Sequence, residues 1–443
     1  MPNTSKVTHP LLDGSPYQSY VYGYPHKTTY RPFETPLPLR DLWQAEDRSS
    51  LFLYLHVPFC EMRCGFCNLF TTVDKRSNRT SDYLDALERH IREVSDALGQ
   101  AVFARMAIGG GTPTYLGVKD LERLLDLARD VLGADCAAIP TSVETSPGTA
   151  SPEKLSLLRE RGVSRVSIGV QSFSEEDAKR IGRPMRREIL LPALKRIRDL
   201  DFPSFNIDLI YGGEGQTPER WLDSVKEAID VGPQEIYIYP LYIRPLTTLG
   251  RRDRHWDDQR IQSYRLAREY LQDVGYRQIS MRMFQRSGAA ASDEPHYCCQ
   301  RDGMVGLGCG ARSYTDSVHY STEYAVGRSG VQSIIDSYIA RTGSSFGFAD
   351  HGIRIDHHEK ARRYLLLSLL QSRGLKVSDF RKRFECDIFD TFPKMRELEE
   401  LQLMERIGDC LRLTAAGIER SDAIGPWLYS SRVIDRIEGY EWH

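Results

Sequence analysis

The sequence has no long apolar run and almost no excess of charge of either sign. No stretch reaches the roughly 18 consecutive apolar residues that a membrane-spanning helix requires, and the polar start from Met1 to Lys6 lacks the apolar core of a signal peptide. The 59 lysines and arginines nearly balance the 61 aspartates and glutamates, which gives a formal net charge of -2. We therefore expect a cytoplasmic protein with neither a membrane nor a nucleic acid as its partner.

A disulfide framework is not expected either, because structural disulfides are rare in the cytosol. The nine cysteines must then be free thiols, metal ligands or catalytic groups. Six of them are scattered or merely adjacent: Cys136, Cys298, Cys299, Cys309, Cys386 and Cys410. The pair at 298–299 and Cys309 flank a glycine-rich turn at 306–310, and adjacent buried cysteines are more often inert than redox-active.

From Leu51 onward, short apolar runs alternate with amphipathic helical patterns, which is typical of βα units around parallel strands. The candidate strands are Leu51–Val57, Met106–Gly109, Thr141–Thr145, Arg165–Val170, Ser204–Ile210 and Glu235–Tyr239. Six such units predict an α/β fold, a partial (β/α)6 TIM-like barrel in which ligands bind at the carboxyl ends of the strands.

The pattern divides the chain into four predicted parts. They are an N-terminal arm at 1–50, the barrel at 51–285, a barrel extension that covers the active site at 286–354, and a small C-terminal domain at 355–443. The last part has helical patterns at Ala361–Leu370 and Val377–Phe384 followed by two short strands, which predicts a winged-helix-like domain. Acidic and basic residues are about equally frequent there, so a DNA-binding role is not expected.

Three cysteines lie in one loop after the first predicted strand, in the sequence Cys60-Glu-Met-Arg-Cys64-Gly-Phe-Cys67. Iron–sulfur clusters take thiolate ligands, and closely spaced cysteines can surround a single cube. Three cysteines hold three irons, and the fourth iron keeps open positions for a chelating ligand. A zinc site is the alternative, but zinc takes four ligands, usually with paired C-x2-C spacings. His56 could complete it, although a residue within a strand is more typically part of the core or a hydrogen bond.

The C-x3-C-x2-C spacing, with Phe66 before the last cysteine, resembles the radical S-adenosylmethionine (SAM) superfamily. The resemblance implies a [4Fe–4S] cluster on the three cysteines that chelates SAM and generates a 5′-deoxyadenosyl radical, which abstracts a hydrogen atom. The run Gly109-Gly-Gly-Thr-Pro-Thr-Tyr115 resembles the superfamily's site for the SAM amino group. Glycines let a ligand approach and expose backbone N–H groups, although a triple glycine alone is more often a turn.

A more specific resemblance, from about Tyr54 to Leu428, is to the HemN-type branch, the oxygen-independent coproporphyrinogen dehydrogenases and their relatives. The motifs that carry it are Gly109–Leu116, Val143-Glu144, Ser167-Ile-Gly-Val-Gln-Ser-Phe173, Gly182-Arg183, Asn206-Ile-Asp-Leu-Ile-Tyr-Gly212, Gln216-Thr217 and Leu411-Arg-Leu-Thr-Ala-Ala-Gly417. Members of this branch can bind two SAM molecules side by side.

Matched position by position, the resemblance predicts two sets of cofactor-binding residues. The set around the first SAM is Tyr54, Gly110 and Glu144. The set around the second SAM is Phe66, Gly111, Thr112, Gln171, Arg183, Asp208 and Tyr242. By the same analogy, Arg312 lines the pocket beside the cofactor and Gln300 lines it on the substrate side. From the residues alone, Arg183 could instead form a surface ion pair and Asp208 could cap a strand end.

Departures from the branch pattern favour a particular reaction. The arm segment Tyr20–Lys27, the segment Tyr239–Gly250 and the step Gly213-Glu-Gly differ from the porphyrinogen enzymes, and His296-Tyr-Cys-Cys-Gln-Arg differs from the haem-chaperone motif. They indicate a HemN-like methylase or cyclopropanase of natural-product pathways, which transfers a methyl or methylene carbon from the second SAM to an sp2 carbon of a small molecule.

Two alternatives remain for the reaction: oxidative decarboxylation of the coproporphyrinogen III dehydrogenase type, and haem binding like that of a haem chaperone. In each case we expect a monomer. An enzyme of this kind also needs an electron donor of the flavodoxin or ferredoxin type.

Overall fold

The computed structural model describes residues 9–74, 76, 78–243, 246–249, 257–288, 299 and 302–441. Thirteen strands of this part form one large sheet. In chain order they are β1 (Arg31–Pro38), β2 (Leu51–Val57), β3 (Phe103–Gly110), β4 (Thr141–Thr145), β5 (Arg165–Gln171), β6 (Ser204–Tyr211), β7 (Glu235–Pro240), β8 (Tyr276–Gln278), β9 (Met283–Arg286), β10 (Met304–Leu307), β11 (Arg312–Tyr314), β12 (Val318–Ser321) and β13 (Phe348–Arg354).

The strand order is β1-β13-β12-β11-β10-β2-β3-β4-β5-β6-β7-β9-β8. From β10 to β7 every neighbouring pair is parallel, and the pairs at both flanks are antiparallel. The six predicted strands are all present and the predicted α/β barrel fold is confirmed. The prediction missed the seventh parallel strand, β10. Gly306 belongs to the run that the sequence analysis interpreted as a turn, but it lies in β10. Glycine is required there because a Cβ would collide with the backbone of Arg312.

Helices cover the outside of the parallel strands and complete the βα units. Those before residue 355 are α1 (Pro10–Asp13), α2 (Leu39–Gln44), α3 (Arg79–Leu98), α4 (Val118–Leu132), α5 (Pro152–Glu160), α6 (Glu175–Arg180), α7 (Arg187–Asp199), α8 (Pro218–Val231), α9 (Asp257–Asp273) and α10 (Arg328–Ala340). In α3, Tyr83, Leu87 and Ile91 recur on one face and are fully buried against the sheet. Among the helices described, none combines the length and apolar character that crossing a bilayer demands.

The N-terminal arm is more structured than its composition predicts. β1 pairs antiparallel with β13, with Arg31 opposite Gly352, so the arm extends the sheet at its edge. Trp43 in α2 is fully buried, and its indole Nε1 donates a hydrogen bond of 2.9 Å to the hydroxyl of Tyr320. These contacts fix the arm to the antiparallel flank, which is far from it in sequence.

The C-terminal region forms a small unit of helices around a three-stranded sheet. Its helices are α11 (His357–Leu369), α12 (Val377–Phe384), α13 (Ile388–Thr391), α14 (Lys394–Glu400), α15 (Ala415–Ile418), α16 (Ser421–Trp427) and α17 (Ser431–Glu438). Its strands are β14 (Leu375–Lys376), β15 (Met404–Ile407) and β16 (Cys410–Leu413), in the order β14-β16-β15. Helices followed by a short hairpin match the predicted winged-helix-like pattern.

A buried ion pair joins this unit to the barrel and the arm. Arg282, just before β9, donates two hydrogen bonds to the carboxylate of Asp422 in α16, one of them at 2.9 Å. The Tyr242 hydroxyl donates to the same carboxylate, and the Ser19 backbone N–H donates to the Asp422 carbonyl at 3.0 Å. The Arg282 guanidinium also lies 3.8 Å over the ring of Tyr20. One carboxylate therefore connects three segments of the chain.

Replacing Asp422 by alanine should destabilise the protein strongly. The variant leaves the Arg282 guanidinium buried without its carboxylate, which typically costs about 3–5 kcal/mol. Urea unfolding followed by circular dichroism measures the effect. The control is Asp435→Ala on the exposed side of α17, where a change within about 0.5 kcal/mol is expected. Equal unfolding midpoints for the two variants would show that the pair does not stabilise the fold.

Candidate functional site

The three clustered cysteines lie in the loop after β2, residues 58–72, here termed the cysteine loop. Its two ends are hydrogen bonded to each other. The Cys60 N–H donates to the Thr72 carbonyl at 2.9 Å, and the Thr72 N–H donates to the Pro58 carbonyl at 2.7 Å. The loop is therefore a closed unit at the carboxyl end of a central parallel strand, which is where this fold places ligands.

The thiols of the cysteine loop are close enough to interact. Burial, and after it the neighbouring thiol of Cys67, raises the pKa of Cys60 to about 12. Burial also raises the pKa of Cys64, while the guanidinium of Arg183 lowers it. The Thr112 hydroxyl lies 3.7 Å from the sulfur of Cys60. Cys64 is buried, and Cys60 and Cys67 are partly buried. Thiols gathered in this way fit a site in which bound iron compensates the negative charge of thiolates.

Arg183 holds the cysteine loop from the side of β5. Its Nη1 donates to the sulfur of Cys64 at 3.0 Å, and its Nη2 donates to the Gly169 carbonyl at 3.0 Å. Gly182 has a φ of +72°, and a Cβ there would meet the backbone of Gly65 at 2.7 Å. The alternative of a surface ion pair for Arg183 is wrong, since the side chain is buried against a cysteine sulfur.

The ligand geometry differs from that of a single metal ion. Within the described ranges, no three histidine, cysteine, aspartate or glutamate side chains converge on one point. A cube-shaped cluster binds each cysteine at a different iron, so its ligands need not converge. Both ring nitrogens of His56 are engaged, Nδ1 with the Tyr54 hydroxyl at 3.2 Å and Nε2 with the Phe70 carbonyl at 3.0 Å. His56 therefore has the hydrogen-bonding role expected within a strand.

The glycine run at the end of β3 is required because neighbouring groups lie too close to each of its three residues for a side chain. A Cβ on Gly109 would meet the Glu144 carboxylate at 2.8 Å, and one on Gly111 would meet the Phe59 carbonyl oxygen at 2.5 Å. Gly110 has a φ of +110°, and a Cβ there would enter the ring of His56. No other residue fits the strand end between the cysteine loop and β4.

The N–H groups of this run are not exposed as the sequence led us to expect. Gly110 donates to Oε2 of Glu144 at 3.1 Å, and Gly111 donates to the Val57 carbonyl at 2.7 Å. The amino group of SAM is itself a donor, so carbonyl oxygens and the Glu144 carboxylate are the groups that could receive it. The glycines serve close packing rather than the presentation of donors.

Two carboxylates face the interior of the barrel. Enclosure by the surrounding barrel, and then the charge of Asp208, raises the pKa of Glu144 to about 7. The Glu144 side chain keeps surface open to solvent, so it lines a space inside the barrel and is not packed in the core. Asp208 accepts hydrogen bonds from Asn206 at 2.8 Å and Ser167 at 3.1 Å. It lies within β6, so the alternative that it caps a strand end is wrong.

Gln171 ends β5 in a conformation that costs free energy. Its φ is +70°, and a bulge places Gly169 opposite Asp208 but Gln171 opposite Leu209. A non-glycine residue in the left-handed region persists only where its surroundings hold it, and such residues cluster at functional sites. The amide of Gln171 and the guanidinium of Arg183 both lie against Gly169, which makes this the most constrained corner of the site.

The predicted cofactor residues are largely brought together. Burial and the nearby Glu144 raise the pKa of Tyr54, and Glu144 accepts a hydrogen bond from Gly110. The three residues of the first predicted set therefore lie together. Of the second set, Phe66 packs in a small apolar cluster with Ile181. Thr112, Gln171, Arg183 and Asp208 are placed as described above, around the cysteine loop and the strand ends.

Two predicted residues stand apart from this group. The hydroxyl of Tyr242 donates to Asp422, so it faces the C-terminal unit, and its place beside a second SAM stays a prediction. Gln300 and the motif that begins at His296 lie outside the described residues, apart from an exposed Cys299.

The sequence prediction missed the contribution of the arm. The Tyr20 ring lies 6.4 Å from that of Tyr239 near the end of β7. The Tyr22 ring lies 4.7 Å from the guanidinium of Arg312. Lys27 lies 3.6 Å over the ring of Tyr324. The tyrosine-rich composition of the arm was a signal for this role, but no motif in the arm says which end of the barrel it covers.

Two family profiles match the chain. That of the Radical SAM superfamily matches residues 54–228, and that of the HemN C-terminal domain matches residues 355–419. The solved structure of coproporphyrinogen III oxidase (HemN) from Escherichia coli superposes with a TM-score of 0.71 over 91% of this chain and 93% of that one, at 23% identity. At that identity the similarity shows the shared fold alone.

Relatives of two named kinds are similar in sequence. Heme chaperone HemW of Escherichia coli is 33% identical over 59% of this chain and 69% of the relative. Heme chaperone HemW of Bacillus subtilis is 27% identical over 82% of this chain and 95% of the relative. The oxygen-independent coproporphyrinogen III oxidase of Pseudomonas aeruginosa is 28% identical over 95% of this chain and 90% of the relative.

These relatives overturn the prediction of a natural-product methylase or cyclopropanase, which is wrong. The sequence relatives named above are described by coproporphyrinogen oxidation and by haem chaperoning. The prediction rested on departures from the branch pattern in the arm and in three short segments of the sequence. Such segments vary among proteins that share an activity, so their differences do not identify a reaction.

The raised pKa of Glu144 predicts how substitution by glutamine changes stability with pH. The unfolded carboxyl titrates near about 4.3, and in the folded protein its pKa is about 7. Between these values the folded state binds the proton more tightly, so the stability of the parent falls as the pH rises through this window. Glutamine carries no such proton, so without SAM, Glu144→Gln should be more stable than the parent near about pH 8 and gain nothing near about pH 4.

Thermal unfolding across this pH range measures the difference. Glu160→Gln on the outer helix α5 is the control and should follow the parent at every pH. A pH-independent offset for Glu144→Gln would contradict the assigned titration.

Proposed function

The chain belongs to the HemN-like branch of the radical SAM superfamily and uses a [4Fe–4S] cluster and SAM, and from this we propose that it oxidises a tetrapyrrole bearing carboxylate side chains. The reaction proposed is the oxidative decarboxylation of a coproporphyrinogen-type propionate. The observation that carries the proposal is the cover of the barrel, where the arm adds tyrosine rings and a cation beside the cysteine loop.

When bound, the cluster and SAM supply a 5′-deoxyadenosyl radical, which takes a hydrogen atom from carbon. The residues of this chain hold and orient those groups. Cys60, Cys64 and Cys67 would bind the irons, and Arg183 orients the sulfur of Cys64. The Glu144 carboxylate, set beside the glycine run, would receive the ammonium or ribose hydroxyls of SAM. A second SAM near Gln171 and Asp208 is part of the proposal.

The proposed substrate class follows from the side chains that the arm and Arg312 contribute to the candidate site. Aromatic rings such as Tyr20 and Tyr22 pack well against the pyrrole rings of a macrocycle. Lys27 and Arg312 are cations that a carboxylate can pair with. In the proposed reaction a propionate loses one hydrogen atom to the radical, its carboxyl group leaves as CO2, and one electron passes to an acceptor, leaving a vinyl group. A flavodoxin or ferredoxin would supply the electron that cleaves SAM.

Haem carriage is the second candidate. It is favoured by the similarity to heme chaperone HemW of Bacillus subtilis, which spans 95% of that protein. The same rings and cations would hold a haem and its propionates, and no side chain of the macrocycle would be consumed. The two functions therefore differ in whether the tetrapyrrole leaves unchanged.

Anaerobic reconstitution with iron and sulfide, followed by addition of SAM, reduced flavodoxin, an electron acceptor and coproporphyrinogen III, tests the proposal. We expect 5′-deoxyadenosine, CO2 and a product with a vinyl group, each identified by mass spectrometry. Cys64→Ala should abolish all three because the cluster loses a ligand. Cys386→Ala in the C-terminal unit is the matched control and should behave as the parent.

Other outcomes separate the candidates. A shift of the haem Soret band on mixing, with no CO2 from coproporphyrinogen, would favour haem carriage. No CO2 or vinyl product from coproporphyrinogen together with no shift of the haem Soret band would contradict both.

A further inference from the structure

Arg312 is a half-buried arginine with an unsatisfied guanidinium nitrogen. Its Nη1 is shielded from solvent and has no hydrogen-bond partner among the described residues. The guanidinium lies 4.7 Å from the ring of Tyr22 and 5.6 Å from that of Tyr314. Ring faces attract a cation, but they do not accept the hydrogen bonds that a guanidinium fork offers.

Such an arrangement costs free energy unless something completes it. A buried charge is stable in proteins when it is paired and hydrogen bonded. A second buried group nearby shows the same deficiency, since the hydroxyl of Tyr30 also has no partner within the part of the chain described. Tyr30 is close enough to Arg312 for each to influence the charge of the other. Unmet donors gathered in this way indicate a place for an anionic ligand.

The arm supplies a second cation to the same place. Lys27 follows Tyr22 by five residues, and its Nζ lies 3.6 Å over the ring of Tyr324. The arm segment that carries Lys27 also carries Tyr22, whose ring contacts Arg312. Burial and the nearby Arg312 lower the pKa of Lys27, which places the two cations close together. The two cations come from segments far apart in sequence and meet only in the folded chain.

This pair borders the predicted cofactor groups but lies outside the matched barrel range. Residues 54–228, which match the Radical SAM superfamily, include neither Lys27 nor Arg312. Arg312 lies near Tyr54, and Lys27 lies near Cys67. Arg183, which contacts Cys64, reaches the cysteine loop beside Gly169 of β5. Arg312 lies on β11, in the antiparallel flank on the other side of β2. A cation on the flank and a cation on the cover are suited to the substrate.

We propose that Arg312 and Lys27 form a subsite that binds a carboxylate of the substrate, a propionate if the substrate is a tetrapyrrole. The inference rests on the proposed function and adds to it the residues that select an acidic macrocycle. The Arg312 fork donates hydrogen bonds to the carboxylate oxygens, the Tyr30 hydroxyl adds a donor, and Lys27 adds the second charge.

Porphyrin binding by the reconstituted protein tests the subsite, with fluorescence quenching as the readout. The probes are coproporphyrin III, which has four carboxylates, and its tetramethyl ester, which has none. Arg312→Met should weaken binding of the acid by about tenfold or more, because a hydrogen bond to a charged group is lost, and should leave binding of the ester unchanged. Arg312→Lys should recover part of the affinity, since it keeps the charge without the fork.

A matched control and a second variant keep the test sharp. Arg396→Met removes an arginine that also lies over an aromatic ring, that of Phe389, but on the C-terminal unit, and should bind both probes as the parent does. Iron content verifies that each variant is assembled. Should Arg312→Met fail to assemble, Lys27→Met carries the test, with a several-fold loss expected for the acid alone.

Each further outcome has its own meaning. If the parent binds acid and ester equally, the subsite is refuted while a tetrapyrrole substrate stands. If it binds neither, the proposed function falls and the subsite with it. If Arg312→Met loses SAM affinity about tenfold and keeps coproporphyrin affinity, the carboxylate in question belongs to SAM and the proposal is overturned.

Discussion

The parallel hydrogen-bonded ladder from β10 to β7 is the constraint on which the site depends. In a parallel sheet every strand ends at the same edge, so the segments that follow successive strands are gathered there. The register sets their relative heights as well. His56 lies opposite Gly109 and Val57 opposite Gly110, so the cysteine loop leaves β2 at the level where the glycine run leaves β3. Glu144 on the next strand then reaches the same level.

This alignment leaves little freedom for side chains. The glycine run is pressed between the His56 ring, the Phe59 carbonyl and the Glu144 carboxylate, and Gln171 adopts a left-handed backbone beside Arg183. Rigid contacts of this kind favour reactions that depend on precise orientation of the reacting atoms and on exclusion of water. The interior next to them is hollow and carries carboxylates, so the barrel needs a cover. The arm provides it, anchored at β13 and by the contacts around Asp422.

The strand ends and the cover contribute different kinds of group to the candidate site. The strand ends carry the groups proposed to hold a cluster and SAM. The groups proposed to meet a substrate come from the arm and from the antiparallel flank, where Arg312 lies against Tyr22. The carbon-transfer prediction was wrong because it rested on differences in a few segments of the sequence. Such differences show that a segment has changed, but they do not show which reaction it serves.

The sequence by itself determined the six βα strands, the cysteine loop, the glycine run and the C-terminal unit, because each follows from a local pattern of apolar period, spacing or turn residues. It left open whether Arg183 formed a surface ion pair and whether Asp208 capped a strand end. Only the tertiary structure decided those, together with β10 as a parallel strand and the meeting of Arg312 with the arm. These depend on contacts between residues far apart in the chain, and no local pattern encodes which distant segment a side chain will face.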